Sequence, residues 1–344
     1  MGVTTILLEG VGGIGGVIAG KLIRAGHGPT LVTGNREISE AINRSGLTVI
    51  EPGGRFTVAT RAFASLTELP SEARFDIALL AMKAHSVVQA ARETVRWLNP
   101  QDGFVVTCQN GIVQDAVAEA IGRDRVVAGI IGWGGTMHGP GVAERTGPGA
   151  IHLGELDGGR TQRLADLARL LGEVTPVVAT DNIRGAQWSK LAINCTITAI
   201  GALTGESLGH MLKHPGVRRV FLGIYGEVIE TALALNMRLE RIAVDPMLLY
   251  LPVSAGFISR WFKDQLVRIV GRKHGKLKSS SLQSLERGRR TEIDFLNGYV
   301  VAQAQSVGVS TPLNASVTRM VQEIEQGRRR LSPANIEELS AVWP

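Results

Sequence analysis

Three glycines near the amino terminus constrain this chain more than any other feature: the run Gly10-Val11-Gly12-Gly13-Ile14-Gly15 sets them at G-x-G-x-x-G spacing. The run stands between an apolar segment, Thr5 to Leu8, and a stretch in which Ile18, Leu22 and Ala25 recur at helical spacing before Gly26. That context predicts a strand, a tight turn and an amphipathic helix, the first half of a βαβ unit. Each glycine has its own task there. The first permits the turn, the second lets the backbone approach a pyrophosphate, and the third lets the helix pack close to the strand. Free amides and the helix dipole then favour an anion at the helix start. Gly10, Gly12, Gly13, Ile14 and Gly15 are therefore expected to hold a dinucleotide.

Roughly 20 residues further on, such a unit declares how it treats the adenosine ribose: a carboxylate accepts the 2′-hydroxyl, whereas an arginine meets a 2′-phosphate. Here the chain reads Thr33-Gly34-Asn35-Arg36, with no carboxylate before Glu37. Arg36 predicts NADP rather than NAD or FAD. The blander alternative is a solvated arginine that opens the next helix.

At 344 residues the chain exceeds what one hydrophobic core usually supports, so two domains are expected. Strand-like runs at Thr30 to Val32, Asp76 to Met82, Phe104 to Cys108 and Val126 to Ile131 alternate with helical patterns, which implies a parallel sheet. From about Asp181 strand signals nearly vanish and 3.6-residue periodicity takes over. Between Thr291 and Val307, for example, Ile293, Leu296, Val300, Ala304 and Val307 form one apolar stripe that Gly308 and Pro312 close. The expected fold is an α/β Rossmann-type domain over 1–180 and an all-α domain over 181–344.

Composition removes several classes of function. Lys plus Arg number 37 against 31 Asp plus Glu, an excess as suited to small anionic ligands as to nucleic acid, and no nucleic-acid motif accompanies it. Cys108 and Cys195 are the only cysteines, too few for a disulfide framework or a four-cysteine zinc site, and there is no H-E-x-x-H run, so no metal is expected. The most apolar stretch, Met247 to Ile258, falls short of the ~20 residues a membrane span needs. No basic stretch or long apolar run precedes the first strand, so a cytoplasmic protein is expected. Tyr225, Tyr250 and Tyr299 lack a lysine four positions on, which excludes the Tyr-x-x-x-Lys acid of short-chain dehydrogenases.

The segment Gln187 to Ile200 is apolar around most of its circumference, with Gln187, Lys190, Asn194 and Thr198 on one stripe at i, i+3, i+7 and i+11. A helix of this kind lines a cleft. Lys190 would be partly desolvated there, which eases proton donation. A solvated face that happens to carry one lysine is the alternative on periodicity alone.

Taken in order, Gly10-x-Gly12-x-x-Gly15, Met82-Lys83, Gln109-Asn110-Gly111, Trp188-Ser189-Lys190-Leu191-Ala192-Ile193-Asn194-Cys195, Ser279-Ser280-x-Leu282-Gln283 and Thr291-Glu292-Ile293-Asp294-Phe295-Leu296-Asn297-Gly298 closely resemble the ketopantoate reductase family. The resemblance implies a Rossmann domain, an all-α domain like the carboxy-terminal domain of 6-phosphogluconate dehydrogenase, and a site between the two. It implies NADPH-dependent reduction of a 2-oxo acid to a 2-hydroxy acid, with 2-dehydropantoate to pantoate, a step of pantothenate biosynthesis, as the default. Lys190 becomes the proton donor, and Glu292 helps hold cofactor and substrate. Lys83 and Asn110 come near the nicotinamide ribose, and Asn110, Asn194, Thr198 and Ser280 meet the substrate. Taken without the resemblance, Glu292 reads as a first-turn glutamate and Asn110 as a turn residue.

Two positions depart from that pattern. Thr198 stands where pantoate-forming members carry a second asparagine, and Ser284 replaces the aspartate of a Leu-Gln-Asp run. These changes leave open a different branched, aromatic or bulkier 2-oxo acid. The segment from Arg238 to Gly275 also looks longer than in compact members. Its Met247, Leu248, Leu249, Tyr250, Phe257, Trp261 and Phe262 either reshape the pocket or join two copies as a homodimer. The basic run Arg260, Lys263, Arg268, Arg272, Lys273, Lys276 and Lys278 reads as a solvated helix face. A non-catalytic NADPH sensor would predict erosion of the catalytic positions, and Lys190, Asn194 and Glu292 are intact.

Overall fold

The computed structural model describes residues 4–242, 244–252, 255–273, 275 and 278–342. They form two compact units, Met1–Gln109 with Val113–Ile183, and Asn110–Ile112 with Arg184–Pro344. The change of character expected near residue 181 meets a division at 183/184, and the second unit also takes three residues from the middle of the first.

The first unit alternates strands and helices: β1 (Ile6–Glu9), α1 (Gly13–Arg24), β2 (Thr30–Val32), α2 (Arg36–Ser45), β3 (Leu47–Glu51), β4 (Gly54–Val58), β5 (Ala62–Phe63), β6 (Ile77–Leu80), α3 (Ala84–Thr94), β7 (Phe104–Thr107), α4 (Gln114–Ile121), β8 (Val126–Ile131), β9 (Gly135–Gly139), β10 (Val142–Arg145), β11 (Ile151–Glu155), α5 (Gln162–Gly172) and β12 (Val177–Ala179). Eight strands form one sheet in the order β12-β11-β8-β7-β6-β1-β2-β5. Neighbours run parallel except β11 against β8. Strands β1, β6, β7 and β8 are buried along their whole length, as parallel strands covered on both faces must be. All five strands expected from the sequence are present.

A second sheet, ordered β4-β3-β10-β9, was not expected from the sequence. Its β3 pairs with β10 in parallel across some ninety residues, Thr48 opposite Val142, and it packs on α1. Gly20 faces Val49 so closely that a Cβ there would lie 2.3 Å from its Cγ2. Isolated strand propensity cannot reveal such a distant pairing.

The second unit is built of α6 (Ile183–Thr204), α7 (Leu208–Met211), α8 (Pro215–Ala234), α9 (Phe257–Lys273), α10 (Ser280–Glu286), α11 (Asn297–Ser306), α12 (Pro312–Glu325) and α13 (Ala334–Val342). Its core joins Leu191 and Ala199 of α6, Phe221 and Val228 of α8, and Val317 and Met320 of α12. Helix α8 is apolar on nearly every side and accordingly buried. Within it Glu227 caps the start of α12, accepting from Leu313 N and Asn314 N, each at 2.8 Å. Burial pushes that carboxyl up to about 7 in spite of these bonds.

The continuous helix expected over Thr291–Val307 is interrupted. A 3-10 turn spans Ile293–Phe295, Leu296 takes φ −110 and ψ −96, and α11 starts at Asn297. The fully buried Asn297 amide donates to Cys195 O at 3.1 Å and to Asn314 Oδ1 at 2.9 Å. The break goes with placing that amide nitrogen between two buried acceptors. Among the described residues no helix is long and apolar enough to cross a membrane. Of the basic run, Lys276 lies outside the described residues.

Candidate active site

In the first unit the glycine turn leaves β1 at the point where strand order reverses, with β2 on one side and β6 on the other. Open α/β sheets bind ligands at such a switch point. Gly10 has φ +90, and a Cβ on it would lie 2.5 Å from Met82 N. On Gly15 a Cβ would meet Gly10 O at 2.1 Å, so turn and helix can close only around glycine. Gly12 differs, because a Cβ there meets nothing within 4 Å. It caps α1 without a side-chain acceptor, and no acid stands in the first turn. The chain is thus open at Gly12, just before a helix start whose first turn carries a positive dipole field and no acid, a fit for a pyrophosphate.

Two neighbouring loops end on the same edge. Asn35 caps α2, its Oδ1 accepting from Ile38 N at 3.1 Å, while Thr33 Oγ1 donates to Asn35 O at 2.6 Å. This braces the loop that presents Arg36. The Arg36 side chain is 75% exposed and pairs only loosely with Glu68, at 3.5 Å. After β6, Lys83 precedes α3 and is exposed. Gln109 holds this turn from β7, donating to Leu80 O at 2.7 Å and Met82 O at 3.1 Å. Neither Asn35 nor Gln109 was given a role from sequence. The Asn35-x-x-Ile38 cap pattern was the available signal for the first, and the Gln109-Asn110-Gly111 run for the second.

Beneath the turn, Glu9 ends β1 and is buried. Burial pushes its carboxyl up to about 7, although Thr94 Oγ1 donates to it.

In the second unit, the α6 stripe behaves as its spacing predicts: Gln187 and Thr198 are buried, and Lys190 and Asn194 half-buried. Lys190 Nζ donates to Asn110 Oδ1 at 3.0 Å, and Asn194 Nδ2 approaches the same oxygen at 3.4 Å. One turn further along, Thr198 Oγ1 donates to its own helix at Asn194 O, 2.7 Å away. The Thr198 carbonyl accepts from Ser279 Oγ at 3.3 Å, and Ser279 caps α10, whose first residue is Ser280. Glu292, 5% exposed, leads into the 3-10 turn. The last residue of that turn abuts the asparagine loop, since a Cβ on Gly111 would lie 2.4 Å from Phe295 O. Lys190, Asn110 and Asn194 are thus joined by hydrogen bonds, with Thr198 and Ser280 one level on along α6, and the Glu292 turn behind Gly111. Cys195, fully buried on the same helix, has its thiol pushed well up by burial and is inert.

A parallel-sheet unit with an uncapped, glycine-lined helix start, together with a helical unit that carries a lysine in an amide-lined polar stripe, defines a dinucleotide-dependent oxidoreductase. Comparison with known proteins gives the family. The family description "Ketopantoate reductase PanE/ApbA" matches residues 6–158, and "Ketopantoate reductase PanE/ApbA C terminal" matches residues 182–325. The chain belongs to the ketopantoate reductase family. It is 30% identical to a 2-dehydropantoate 2-reductase of Mesorhizobium japonicum, over 93% of this chain and 97% of the relative. A crystal structure of a ketopantoate reductase from Ralstonia eutropha superposes with a TM-score of 0.79 at 26% identity, over 95% of this chain and 100% of the other. D-mandelate dehydrogenase, in a ternary structure with NADH and anilino(oxo)acetate, shares the fold at a TM-score of 0.80 and 20% identity, over 94% of this chain and 99% of the other.

Proposed function

We propose that this enzyme reduces a 2-oxo acid to its 2-hydroxy acid with NADPH, and that 2-dehydropantoate, reduced to pantoate for pantothenate biosynthesis, is its substrate. The observation that carries the reading is the Lys190 Nζ–Asn110 Oδ1 bond of 3.0 Å on the polar face of a buried helix. An ammonium has three donors. Asn110 accepts one and fixes the direction of the ammonium, which would turn toward the carbonyl oxygen of a substrate. Lys190 holds the proton that this oxygen receives as negative charge develops on it. Asn194, Ser280 and Asn110 supply polar contacts to the acid, and Glu292 with Lys83 and Asn110 steadies cofactor and substrate. Gly10, Gly12, Gly13, Ile14 and Gly15 would hold the pyrophosphate and Arg36 the 2′-phosphate. Bound NADPH supplies the hydride to the carbonyl carbon. Both cysteines are buried free thiols, which suits a reducing cytoplasm.

The test follows NADPH absorbance with a panel of 2-oxo acids. Strong turnover of 2-dehydropantoate is expected. Turnover of another 2-oxo acid alone would overturn the substrate and leave the chemistry standing.

A second reading has its own observation. The Thr198 hydroxyl spends its hydrogen on Asn194 O, so this position offers a methyl group and no free donor. That favours a branched, aromatic or bulkier acid without a hydroxyl at that place, and the same panel separates the two readings.

The reading extends to a homodimer. Helix α9 exposes Phe257 and Ile258 at 82% each, Trp261 at 57%, Phe262 at 52% and Ile269 at 59%, next to Met247 and Leu248 at 42% each. Weighted by these exposures, and taking roughly 150–250 Å² as the whole area of an aromatic side chain, the patch offers on the order of several hundred Å² of apolar surface, close to the ~800 Å² one partner contributes to a standard interface. Two charges beside this face are engaged within the chain: Asp264 accepts from Arg218 at 2.6 Å, and Lys263 binds the Met247 and Leu248 carbonyls. A second copy of this chain is the occupant that this apolar area supports.

A further inference from the structure

A cluster of metal-ligating side chains lies at the junction of α6, α7 and α8, on residues with no part in the proposed chemistry. Glu206 follows the end of α6 after Gly205, at φ +74. His210 stands on α7, and His214 is the cap residue of α8, followed by Pro215. The three are spaced four apart in sequence, and one ligand atom from each falls in a group whose members all lie within 4.8 Å of one another. Glu206 Oε1 and His210 Nε2 are 3.4 Å apart, and the two imidazole rings have centroids 6.0 Å apart, tilted by 57°.

We propose that Glu206, His210 and His214 form a surface site for a first-row transition-metal dication, zinc above all. Tetrahedral zinc holds nitrogen and oxygen ligands at about 2.0–2.1 Å, which sets neighbouring ligands about 3.3 Å apart. The Glu206–His210 separation already has that length. Both histidines are exposed, so a ring rotation of His214 that closes the remaining gap displaces only water. Two imidazoles and one carboxylate are the donor set of an open zinc site with water in the fourth position. Imidazole also selects zinc, copper or nickel over calcium or magnesium. The chain here is pinned where it must be, since His210 N bonds Ser207 O at 3.0 Å and His214 N bonds Met211 O at 3.2 Å. A bound ion would tie the segment after α6 to the first turn of α8, and so act as a clasp on the helical unit.

The experiment titrates tag-free, metal-stripped full-length protein with Zn²⁺ by calorimetry and with Co²⁺ by visible absorption, and records the melting temperature with and without Zn²⁺. Saturable one-to-one binding, the intense visible bands of tetrahedral cobalt and a raised melting temperature are expected. His210→Asn and His214→Asn should each weaken binding by about tenfold or more, the range that disturbing a metal site costs. His138→Asn removes a second His–Glu pair, formed with Glu144 at 2.5 Å, and should leave binding unchanged. No saturable binding by the parent protein would overturn the proposal, as would binding that survives both His210→Asn and His214→Asn. Loss of binding in a variant counts only if its circular dichroism matches the parent, and Glu206→Gln offers a milder substitution of the same site.

Discussion

Lys190 Nζ and Asn110 Oδ1 meet at 3.0 Å although eighty residues separate them in sequence. The asparagine presents an acceptor, so it orients the ammonium without neutralising it. Replacing Lys190 with Ala is expected to lower kcat by about 10²–10⁴, the usual contribution of a positioned acid, with NADPH affinity retained. Asn110→Ala should give a smaller loss of the same kind. Stopped-flow and steady-state NADPH kinetics measure both, and unchanged turnover in Lys190→Ala would assign the proton to another group.

Arg36 should act on the cofactor alone. Its side chain is largely solvated and its Glu68 partner is 3.5 Å away, so a 2′-phosphate can take it over. Arg36→Ala is expected to raise the KM for NADPH by about tenfold, the size of a charge-assisted bond, and to leave the NADH value untouched. Equal effects on the two cofactors would return Arg36 to the role of an ordinary helix-opening residue.

Gly111 and Gly122 offer a matched pair. Both have positive φ, +84 and +97, but a Cβ on Gly122 meets nothing within 4 Å whereas one on Gly111 runs into Phe295 O at 2.4 Å. Gly122→Ala should destabilise by about 1 kcal/mol, and Gly111→Ala by about 1–3 kcal/mol with a clear loss of kcat. Chemical denaturation and turnover on the same preparations decide, and equal behaviour of the two would mean that the loop does not need the close approach.

Glu9 predicts a pH dependence with a definite sign. Burial raises its carboxyl from 4.5 to about 7, so the folded chain holds that proton more tightly than the unfolded one. The resulting stability is complete below about pH 4.5 and is lost as the pH rises through 7, on the order of 3 kcal/mol in all. Glu227, also raised to about 7, adds a slope of the same sign. Glu9→Gln keeps the acceptor for Thr94 and removes the titration. Urea unfolding at pH 5 and pH 8 should show a smaller difference for this variant than for the parent, and identical differences would count against a buried, titrating Glu9.

Trp261→Asp and Ile258→Asp place a charge in the exposed apolar face of α9. If that face joins two copies, light scattering should give a dimer for the parent and a monomer for either variant, with the melting curve of each unit kept. A parent that is monomeric at tens of micromolar would dismiss the interface.

Local signals in the sequence carried much of this structure. The glycine turn, the five strands and the polar stripe on α6 each depend on residues within a few positions of one another, and each appears where expected. The second sheet depends instead on β3 meeting β10. Only its turns, Glu51-Pro52-Gly53-Gly54 and Gly139-Pro140-Gly141, left a local trace. The break before α11 is set by where Asn297 finds Cys195 O and Asn314, a tertiary demand that an apolar stripe does not encode. Thr198 was legible as a residue type, and its bond to Asn194 O needed the rotamer.

The excursion of Asn110–Ile112 into the helical unit has a genetic consequence. The chain passes from one unit to the other three times, so no single cut between codons separates two self-sufficient modules. A helical half expressed from residue 184 onward would lack the acceptor of Lys190 and the Ile112 side chain from its core. Exchanging the nucleotide-binding half for that of a relative would import a foreign loop against the lysine. The two halves can therefore be recombined only if those three residues travel with the helices, which binds the evolution of cofactor binding and catalysis into one reading frame.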